Sequence, residues 1–85
     1  MYLVYVLESL TDGIHYVGST GKNMEERLIR HNRGDYRFTK THRPWKVVYQ
    51  EEVSSRAEAV KRERFLKSGV GRQELKKILA KPIYN

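Results

Sequence analysis

The fold is decided by two apolar, aromatic-containing stretches near the start of the chain, Leu3-Val4-Tyr5-Val6-Leu7 and His15-Tyr16-Val17-Gly18-Ser19-Thr20. Between them lies Thr11-Asp12-Gly13, and an Asp-Gly pair in this setting is typical of a β-hairpin turn. The β-branched and aromatic residues on either side favour strands. The pattern therefore predicts a hairpin that places Tyr5 and Tyr16 on neighbouring strands.

The chain is short, with 85 residues and no cysteine. We expect one domain over residues 1–85, because a chain of this length supports a single modest core. Without cysteine, neither disulfides nor thiolate metal sites can stabilise it. No apolar stretch reaches the roughly 18 residues of a membrane span, and the N-terminus has no secretion signal. We therefore expect a cytoplasmic protein without membrane contact.

The net charge is large for this size. Seventeen Lys and Arg residues against ten Asp and Glu residues give +7. Such an excess favours contact with nucleic acid, because each neutralised phosphate releases counterions. The alternative is a basic surface that only keeps the protein soluble, and composition alone does not decide between the two.

The remaining patterns predict helices and one more strand. In chain order, the predicted elements are strands at 2–8 and 14–18, a helix to Asn32 capped by Asn23, a strand at 47–53, a helix capped by Ser55 and a helix at 72–80 ended by Pro82. The order ββα-β-αα indicates an α+β fold, with helices flanking a three-stranded antiparallel or mixed sheet. We expect the first strand in the middle and the third strand parallel to the second.

Two polar side chains on the first predicted helix stand together. Arg27 and His31 are four residues apart and adjoin the apolar edge formed by Met24 and Leu28. Helical spacing places them one turn apart on one face. They are candidates for contact with phosphate, and the alternative is an ordinary solvated helix face.

The segment at 33–46 connects this helix to the third strand. It interleaves Arg and Lys with Tyr, Phe and Trp, a composition suited to contact with phosphates and exposed bases. The alternative is a surface loop with one or two aromatic side chains in the core. For Trp45, which adjoins the strand, we favour the core position.

Glu63 falls among the apolar positions of its predicted helix. It lies four residues after Ala59 and three before Leu66, where a carboxylate is costly unless it is paired or bound to a metal. Such a local conflict is typical of a functional residue. The alternative is that Glu63 lies at the helix flank and pairs with Lys67, and periodicity leaves both open.

Val4-Tyr5 followed by Tyr16-Val17-Gly18 resembles the paired tripeptides that name the GIY-YIG nuclease family, with Leu3 where the family has glycine. Further matching pieces follow in the family's order, so the resemblance spans nearly the whole chain. They are Gly18-Ser19-Thr20, Arg27 with His31-Asn32, Phe38-Thr39 with the stretch 44–49, and the stretch 59–63 with Lys67. The chain is similar to small stand-alone proteins related to the nuclease half of a bacterial excision-repair incision subunit, which implies DNA repair.

The resemblance implies an endonuclease that hydrolyses phosphodiester bonds in DNA with one divalent metal ion, Mg²⁺ or Mn²⁺. Glu63 would be the protein ligand of that metal, and Tyr5 would accept the proton of the attacking water, with support from Tyr16. An ordinary tyrosine titrates at about pH 10, so we expect the cationic neighbours Arg27 and His31 to lower the pKa of Tyr5. Arg27 would also stabilise the charge that develops on the phosphate.

By the same resemblance, five further residues would bind the substrate: Thr20, Asn32, Lys40, Arg43 and Lys67. We expect DNA as the partner, branched or damaged DNA included, and no small-molecule cofactor. Two other classes remain open. One is a non-catalytic module that binds DNA or RNA with the same fold, and the other is a structural or interaction domain. Tyr5 and Tyr16 would then be ordinary strand aromatics.

Overall fold

A computed structural model of the chain describes residues 1–80, which form three strands and four helices. In chain order these are β1 (Tyr2–Ser9), β2 (His15–Thr20), α1 (Met24–Arg33), α2 (Arg37–Lys40), β3 (Trp45–Val53), α3 (Arg56–Lys67) and α4 (Gly69–Ala80). The predicted α+β fold is confirmed, with one short helix, α2, added to the predicted order. Within residues 1–80, no helix has the length and apolar character needed to cross a membrane.

The sheet has the order β2-β1-β3, and the central strand β1 is antiparallel to both neighbours. β2 and β3 therefore run in the same direction, as predicted. In the hairpin turn the backbone N–H of Ser9 donates to the carbonyl of Ile14 at 2.9 Å. Gly13 has a φ of 76°, a left-handed conformation that glycine adopts without steric cost. The hairpin leaves β2 at one edge of the sheet.

Helices cover both faces of the sheet, so β1 is buried on both sides. Successive side chains of a strand point to opposite faces, and β1 divides accordingly between two apolar clusters. These are Val4, Val6, Val17, Ala59, Leu66 and Leu75 on the side of α3 and α4, and Tyr5, Leu7 and Trp45 on the side of α1. The core position predicted for Trp45 is confirmed, since only 2% of it is exposed. This division brings Tyr5 under α1.

Both predicted helix caps are present. The side chain of Asn23 accepts a hydrogen bond from the backbone N–H of Glu26 at 2.7 Å, at the start of α1. The side chain of Ser55 accepts one from the backbone N–H of Glu58 at 3.2 Å, at the start of α3. Each bond satisfies a donor that the first helical turn leaves without a partner. The starting points of the two site-bearing helices thus follow from local sequence.

Several boundaries differ from the sequence prediction. The segment at 33–46 contains α2, and β3 begins at Trp45. α3 ends at Lys67, within the stretch 67–71 that the sequence predicts to end it, but α4 already begins at Gly69 and not at Arg72. A Cβ added to Gly71 would lie 1.7 Å from the carbonyl oxygen of Phe65, so glycine permits close packing of the two helices here instead of ending one. The predicted stop at Pro82 lies outside the described residues.

Candidate active site

The hydroxyl group of Tyr5 lies at the centre of a polar cluster beneath α1. Tyr5 is fully buried, and its hydroxyl oxygen accepts a hydrogen bond from Nε of Arg27 at 3.1 Å. The same oxygen lies 2.8 Å from Nε2 of His31. Helical spacing places Arg27 beside His31, as predicted. Only the packing of α1 on the sheet brings Tyr5 to both of them.

The hydrogen bonds define which atoms of this cluster carry protons. A guanidinium group can only donate, so the Tyr5 oxygen accepts from Arg27. Nε2 of His31 is its other hydrogen-bond partner, and the buried Tyr5 proton has an acceptor only when the hydroxyl donates to this nitrogen. The neutral imidazole then carries its proton on Nδ1, which lies 2.8 Å from the hydroxyl oxygen of Thr39 and donates to it. A continuous chain of hydrogen bonds therefore runs from Arg27 through Tyr5 and His31 to Thr39.

Burial governs the titration of Tyr5 and His31. It raises the pKa of Tyr5 to about 12, because the loss of solvation outweighs the opposing hydrogen bond and charge of Arg27. Burial, followed by the charge of Arg27, lowers the pKa of His31 to about 4. Arg27 lowers the pKa of Tyr5, as predicted, but His31 does not, and burial makes the net change an increase. His31 is neutral near pH 7, and the single charge of Arg27 does not offset burial.

Tyr36 holds Arg27 from a second side. Nη1 of Arg27 donates to the hydroxyl oxygen of Tyr36 at 2.7 Å. The guanidinium carbon also lies 4.6 Å from the centre of the Tyr36 ring, a distance at which the cation is attracted to the aromatic face. Two tyrosines therefore fix the position and the plane of the guanidinium group.

A cleft of about 480 Å³ opens beside Arg27, at the end of β2. Its lining includes Ser19 and the side chains of Lys22 and Arg56, and no Asp or Glu is among the lining residues. We call it the Arg27 cleft. Three cations in a concave site without a carboxylate suit the oxygens of a phosphate group.

Glu63 approaches the same edge strand from the other face of the sheet. Its Oε1 accepts a hydrogen bond from the hydroxyl of Ser19 at 2.8 Å, and its Oε2 accepts one from Nζ of Lys67 at 2.7 Å. The side chain is 24% exposed. Both alternatives from the sequence are partly realised, since Glu63 pairs with Lys67 but also turns toward β2. It does not lie in the apolar core.

Tyr16 and Gly18 join the two halves of the site around the edge of β2. The ring of Tyr16 lies 5.4 Å from that of His31, and Nζ of Lys67 lies 5.6 Å from the centre of the Tyr16 ring. A Cβ added to Gly18 would lie 2.7 Å from the hydroxyl oxygen of Tyr5, so the strand passes directly over that oxygen. The residues gathered around this short stretch of β2 are Tyr5, Tyr16, Arg27, His31 and Glu63.

The donor set at this edge suits a hard cation that keeps most of its water. Among residues 1–80, no three His, Cys, Asp or Glu side chains cluster as a metal site. Glu63 offers carboxylate oxygens at the rim of the site. Mg²⁺ usually binds proteins through one or two carboxylates, with waters and substrate phosphates as its other ligands. Glu63 therefore fits a site with one protein carboxylate.

A sequence profile of the GIY-YIG catalytic domain matches residues 1–76 of this chain. The chain belongs to the GIY-YIG family. The UPF0213 protein SH2523 of Staphylococcus haemolyticus is 40% identical over 78 residues, which are 91% of this chain and 93% of that protein. The UPF0213 protein SERP0126 of Staphylococcus epidermidis is 38% identical over the same shares. The comparison with solved structures gave no significant match.

Membership in the GIY-YIG family gives the chain a nuclease-type domain, and such a domain implies a nucleic-acid substrate in general. GIY-YIG nucleases generally use divalent metal ions. The departure from the motif lies at Leu3. This residue pairs with Thr20 on one side and Glu52 on the other, so the strand pairing is regular at the position where leucine replaces the motif glycine.

Of the residues predicted to bind substrate, two lie next to the site and two are exposed around the end of α2. Lys67 contacts Glu63. Thr20 is buried at the end of β2, where its hydroxyl accepts a hydrogen bond from the backbone N–H of Lys22 at 3.0 Å, and it lines the Arg27 cleft. Lys40 and Arg43 are exposed at the end of α2 and just after it. Lys67 and Thr20 are therefore the two that the fold brings next to the site.

Asn32 has a structural position. Its Oδ1 accepts a hydrogen bond from the backbone N–H of Trp45 at 2.7 Å, and its Nδ2 donates to the carbonyl of Trp45 at 3.1 Å. The carboxamide thus ties the end of α1 to the start of β3. Through this tie it holds the segment that carries α2.

Three side chains that are not among the predicted site residues hold the site together: Ser19, Tyr36 and Thr39. Tyr36 and Thr39 lie in the segment that was predicted to be a loop, and α2 turns Thr39 inward to a buried position. The carbonyl of Thr39 also accepts a hydrogen bond from the indole of Trp45 at 2.8 Å. The aromatic character of the segment was the available signal, and it indicated contact with nucleic acid instead of support for α1.

Proposed function

We propose that the protein is a Mg²⁺-dependent endonuclease that hydrolyses phosphodiester bonds in DNA. The observation that supports this most is the meeting of two polar groups at the edge of β2. The buried pair of Tyr5 and His31 lies beneath Gly18, and the carboxylate of Glu63 is held by the next residue, Ser19. Perturbed titratable groups beside a cationic cleft are typical of a catalytic site.

Arg27 binds the scissile phosphate in this proposal, and the Arg27 cleft receives the phosphate. The guanidinium group, fixed by two tyrosines, is positioned in advance for the charge that develops on the phosphate oxygens. Glu63 would hold the metal ion through its carboxylate. A bound divalent ion would supply neutralisation of the charge that develops on the phosphate and the leaving group.

Tyr5 acts as a proton relay in this proposal and not as a free base. With a pKa of about 12, ionising Tyr5 at pH 7 costs about 7 kcal/mol. The neutral hydroxyl can accept the proton of the attacking water while its own proton passes to Nε2 of His31, 2.8 Å away. His31 is neutral at pH 7 and can accept this proton, and with its pKa of about 4 the protonation costs about 4 kcal/mol, less than ionising Tyr5. The hydroxyl of Thr39 lies 2.8 Å from Nδ1 on the other side of the ring.

Arg27 also links the cleft to the buried hydroxyl. It is the side chain that both lines the cleft and contacts the Tyr5 oxygen. A phosphate in the cleft contacts the guanidinium group in the position that the two tyrosines give it. The Tyr5 oxygen has two lone pairs, and the one that Arg27 does not use is available to a water molecule beside that phosphate.

The deciding experiment compares Glu63→Gln with Glu58→Gln, an exposed glutamate on the same helix. We expect Glu63→Gln to lose Mg²⁺-dependent cleavage of supercoiled and branched DNA by at least about 100-fold, and EDTA to abolish cleavage by the parent. Glu58→Gln should cut like the parent. The melting temperature of Glu63→Gln without metal should fall only slightly, since an ion pair of this kind contributes about 0.2–0.5 kcal/mol. Parental cleavage by Glu63→Gln would refute the metal site.

The second candidate is a non-catalytic module that binds nucleic acid. The observation that favours it is the complete burial of Tyr5, which keeps the hydroxyl from solvent in the absence of substrate. The same assay separates the two candidates. DNA binding in EDTA, together with no cleavage of any DNA form in Mg²⁺, would support the module and refute the enzyme.

A further inference from the structure

A second groove of about 480 Å³ lies at the other end of β2, between that strand and the C-terminal helices. Its walls include two aromatic rings, those of Tyr16 and Phe38, and three cations, Lys67, Arg72 and Lys76. No Asp or Glu is among the residues that line it. We call it the Tyr16–Phe38 groove. It has no role in the mechanism proposed above.

The two aromatic rings form a platform. Their centroids are 6.0 Å apart, and their planes are inclined by only 25°. Tyr16 packs against the cluster of Tyr5, Leu7 and Trp45, whereas Phe38 does not belong to either core cluster and is 49% exposed. A large apolar ring that stays exposed beside cations is unexplained by the packing of the core.

The charges around the platform are available for an anionic partner. Within residues 1–80, Arg72 and Lys76 take part in no ion pair, and both are exposed on α4. Lys67, which pairs with Glu63, is a third cation of the groove and lies beside the Tyr16 ring. Aromatic faces flanked by unpaired cations match a nucleotide, whose base stacks and whose phosphates are anionic.

We propose that the Tyr16–Phe38 groove binds an unpaired base of the substrate strand, stacked on Phe38, with the neighbouring phosphates on Arg72 and Lys76. This rests on the proposed function and gives its substrate a class, a strand that is single at the cut. The base must be unpaired because the faces of a base in a duplex are covered by its neighbours, whereas a splayed base offers its face to an aromatic ring.

The spacing of the two cavities agrees with one strand lying along β2. Thr20 lines the Arg27 cleft and Tyr16 lines the groove, and four residues of strand span about 13 Å. Stacked nucleotides rise about 3.4 Å each along one strand, and an extended strand covers more per nucleotide. A base held in the groove therefore belongs to a nucleotide no more than about four positions from the phosphate in the cleft.

The test measures binding without cleavage, in EDTA, by the fluorescence of 2-aminopurine in a single strand and in a duplex of the same sequence. The variants are Phe38→Ala and the matched control Phe65→Ala, which removes the other partly exposed phenylalanine, 36% exposed on α3. We expect Phe38→Ala to weaken binding of the single strand by at least about fivefold and to reduce the stacking-dependent quenching. Phe65→Ala should change neither, and Phe38→Tyr should retain both.

A second pair of variants, each of which removes one positive charge, tests the cations that line the groove. Lys76 lines the groove and its neighbour Lys77 does not. Replacing Lys76 with alanine should reduce the slope of log affinity against log salt for the single strand by about 0.7, and replacing Lys77 should leave it nearly unchanged. Equal effects of the two would assign the contact to general charge and overturn the proposed path of the strand.

The binding test of the groove gives a result whether or not the protein cuts DNA. If the protein cuts no DNA but the Phe38 and Lys76 differences appear, the groove stands and the nuclease proposal fails. If the protein cuts DNA while single strand and duplex bind equally well, and Phe38→Ala binds both like the parent, the groove proposal is overturned and the nuclease proposal survives. Circular dichroism spectra that match the parent establish that each variant is folded.

Discussion

The buried, neutral imidazole of His31 makes the stability of this protein depend on pH in a defined window. Burial and the charge of Arg27 lower the pKa of His31 to about 4, against about 6.5 in an unfolded chain. Between these values the unfolded chain binds a proton that the folded protein does not bind. The free energy of unfolding is therefore complete above about pH 6.5 and decreases as the pH falls toward 4.

The size of this effect follows from the shift. A change of 2.5 pH units between the two pKa values, at about 1.36 kcal/mol for each, gives about 3 kcal/mol at full extent. Small domains have a total stability of about 5–15 kcal/mol, so the loss is a large share. Urea unfolding of the parent should show most of this loss of stability between pH 7 and pH 4.5.

The variant His31→Gln removes the titrating group but keeps a buried side chain that can donate and accept. It should be less stable than the parent at pH 7 and should lose less stability on going to pH 4.5. His15→Gln, at an exposed position, is the matched control and should lose as much as the parent. The carboxyl groups of Asp12 and Asp35 have pKa values lowered by hydrogen bonds from His42 and Arg33, and they titrate below this window in every variant.

A direct measurement removes any dependence on the variant. The ¹⁵N chemical shifts of the imidazole report its protonation and tautomer, and His31 should stay neutral with its proton on Nδ1 from pH 8 to about pH 5. A titration of His31 near pH 6.5 would refute the reasoning. So would a proton on Nε2, or an equal loss of stability in the parent and in His31→Gln.

Three further predictions concern activity. Replacing Arg27 with alanine should lower the cleavage rate by at least about 100-fold, with DNA affinity nearly retained. The control Arg30→Ala, on the same helix, should cut DNA at the parent rate. Equal cleavage rates of the two variants would refute the role of Arg27. Gly18→Ala should stop cleavage and destabilise the fold by about 1–3 kcal/mol, because its Cβ would lie 2.7 Å from the Tyr5 hydroxyl oxygen. The control is Gly69→Ala, whose Cβ would have nothing within 4 Å. Calorimetry should show that this control is as stable as the parent. The cleavage rate of the parent should be nearly level from pH 6 to 8, since a relay to a neutral histidine needs no tyrosinate; a tenfold rise per pH unit would indicate a free tyrosinate base.

Most parts of the fold that sequence predicted correctly have short-range causes; the exceptions are the strand order and the core position of Trp45. The Asp-Gly turn and the apolar stretches on both sides of it define the hairpin, and the caps at Asn23 and Ser55 define where two helices begin. The spacing of Arg27 and His31 depends only on the pitch of a helix. Each of these features involves neighbours within about ten residues, so local pattern was sufficient.

The parts that sequence missed depend on contacts between distant segments. α2 has only four residues and is held by tertiary contacts, such as the bond between the Thr39 carbonyl and the indole of Trp45, so no periodic pattern predicts it. The glycines at 69 and 71 indicate the end of α3, because glycine often follows a C-terminus, and this end is confirmed at Lys67, but the sequence does not show that both glycines belong to α4. At Gly71 the requirement is instead space against the carbonyl of Phe65, which only the packing of α4 on α3 creates.

The same distinction explains the error about Tyr5. The sequence showed the two groups that bear on its pKa, Arg27 and His31, but not the packing that buries all three side chains. Burial removes the charge of His31 and raises the pKa of Tyr5, so the expected cationic field is reduced to one guanidinium group. A neutral tyrosine hydroxyl is nevertheless both an acceptor and a donor, which a tyrosinate is not. The arrangement that makes Tyr5 a poor base is therefore the one that the proposed relay from a water molecule to His31 requires.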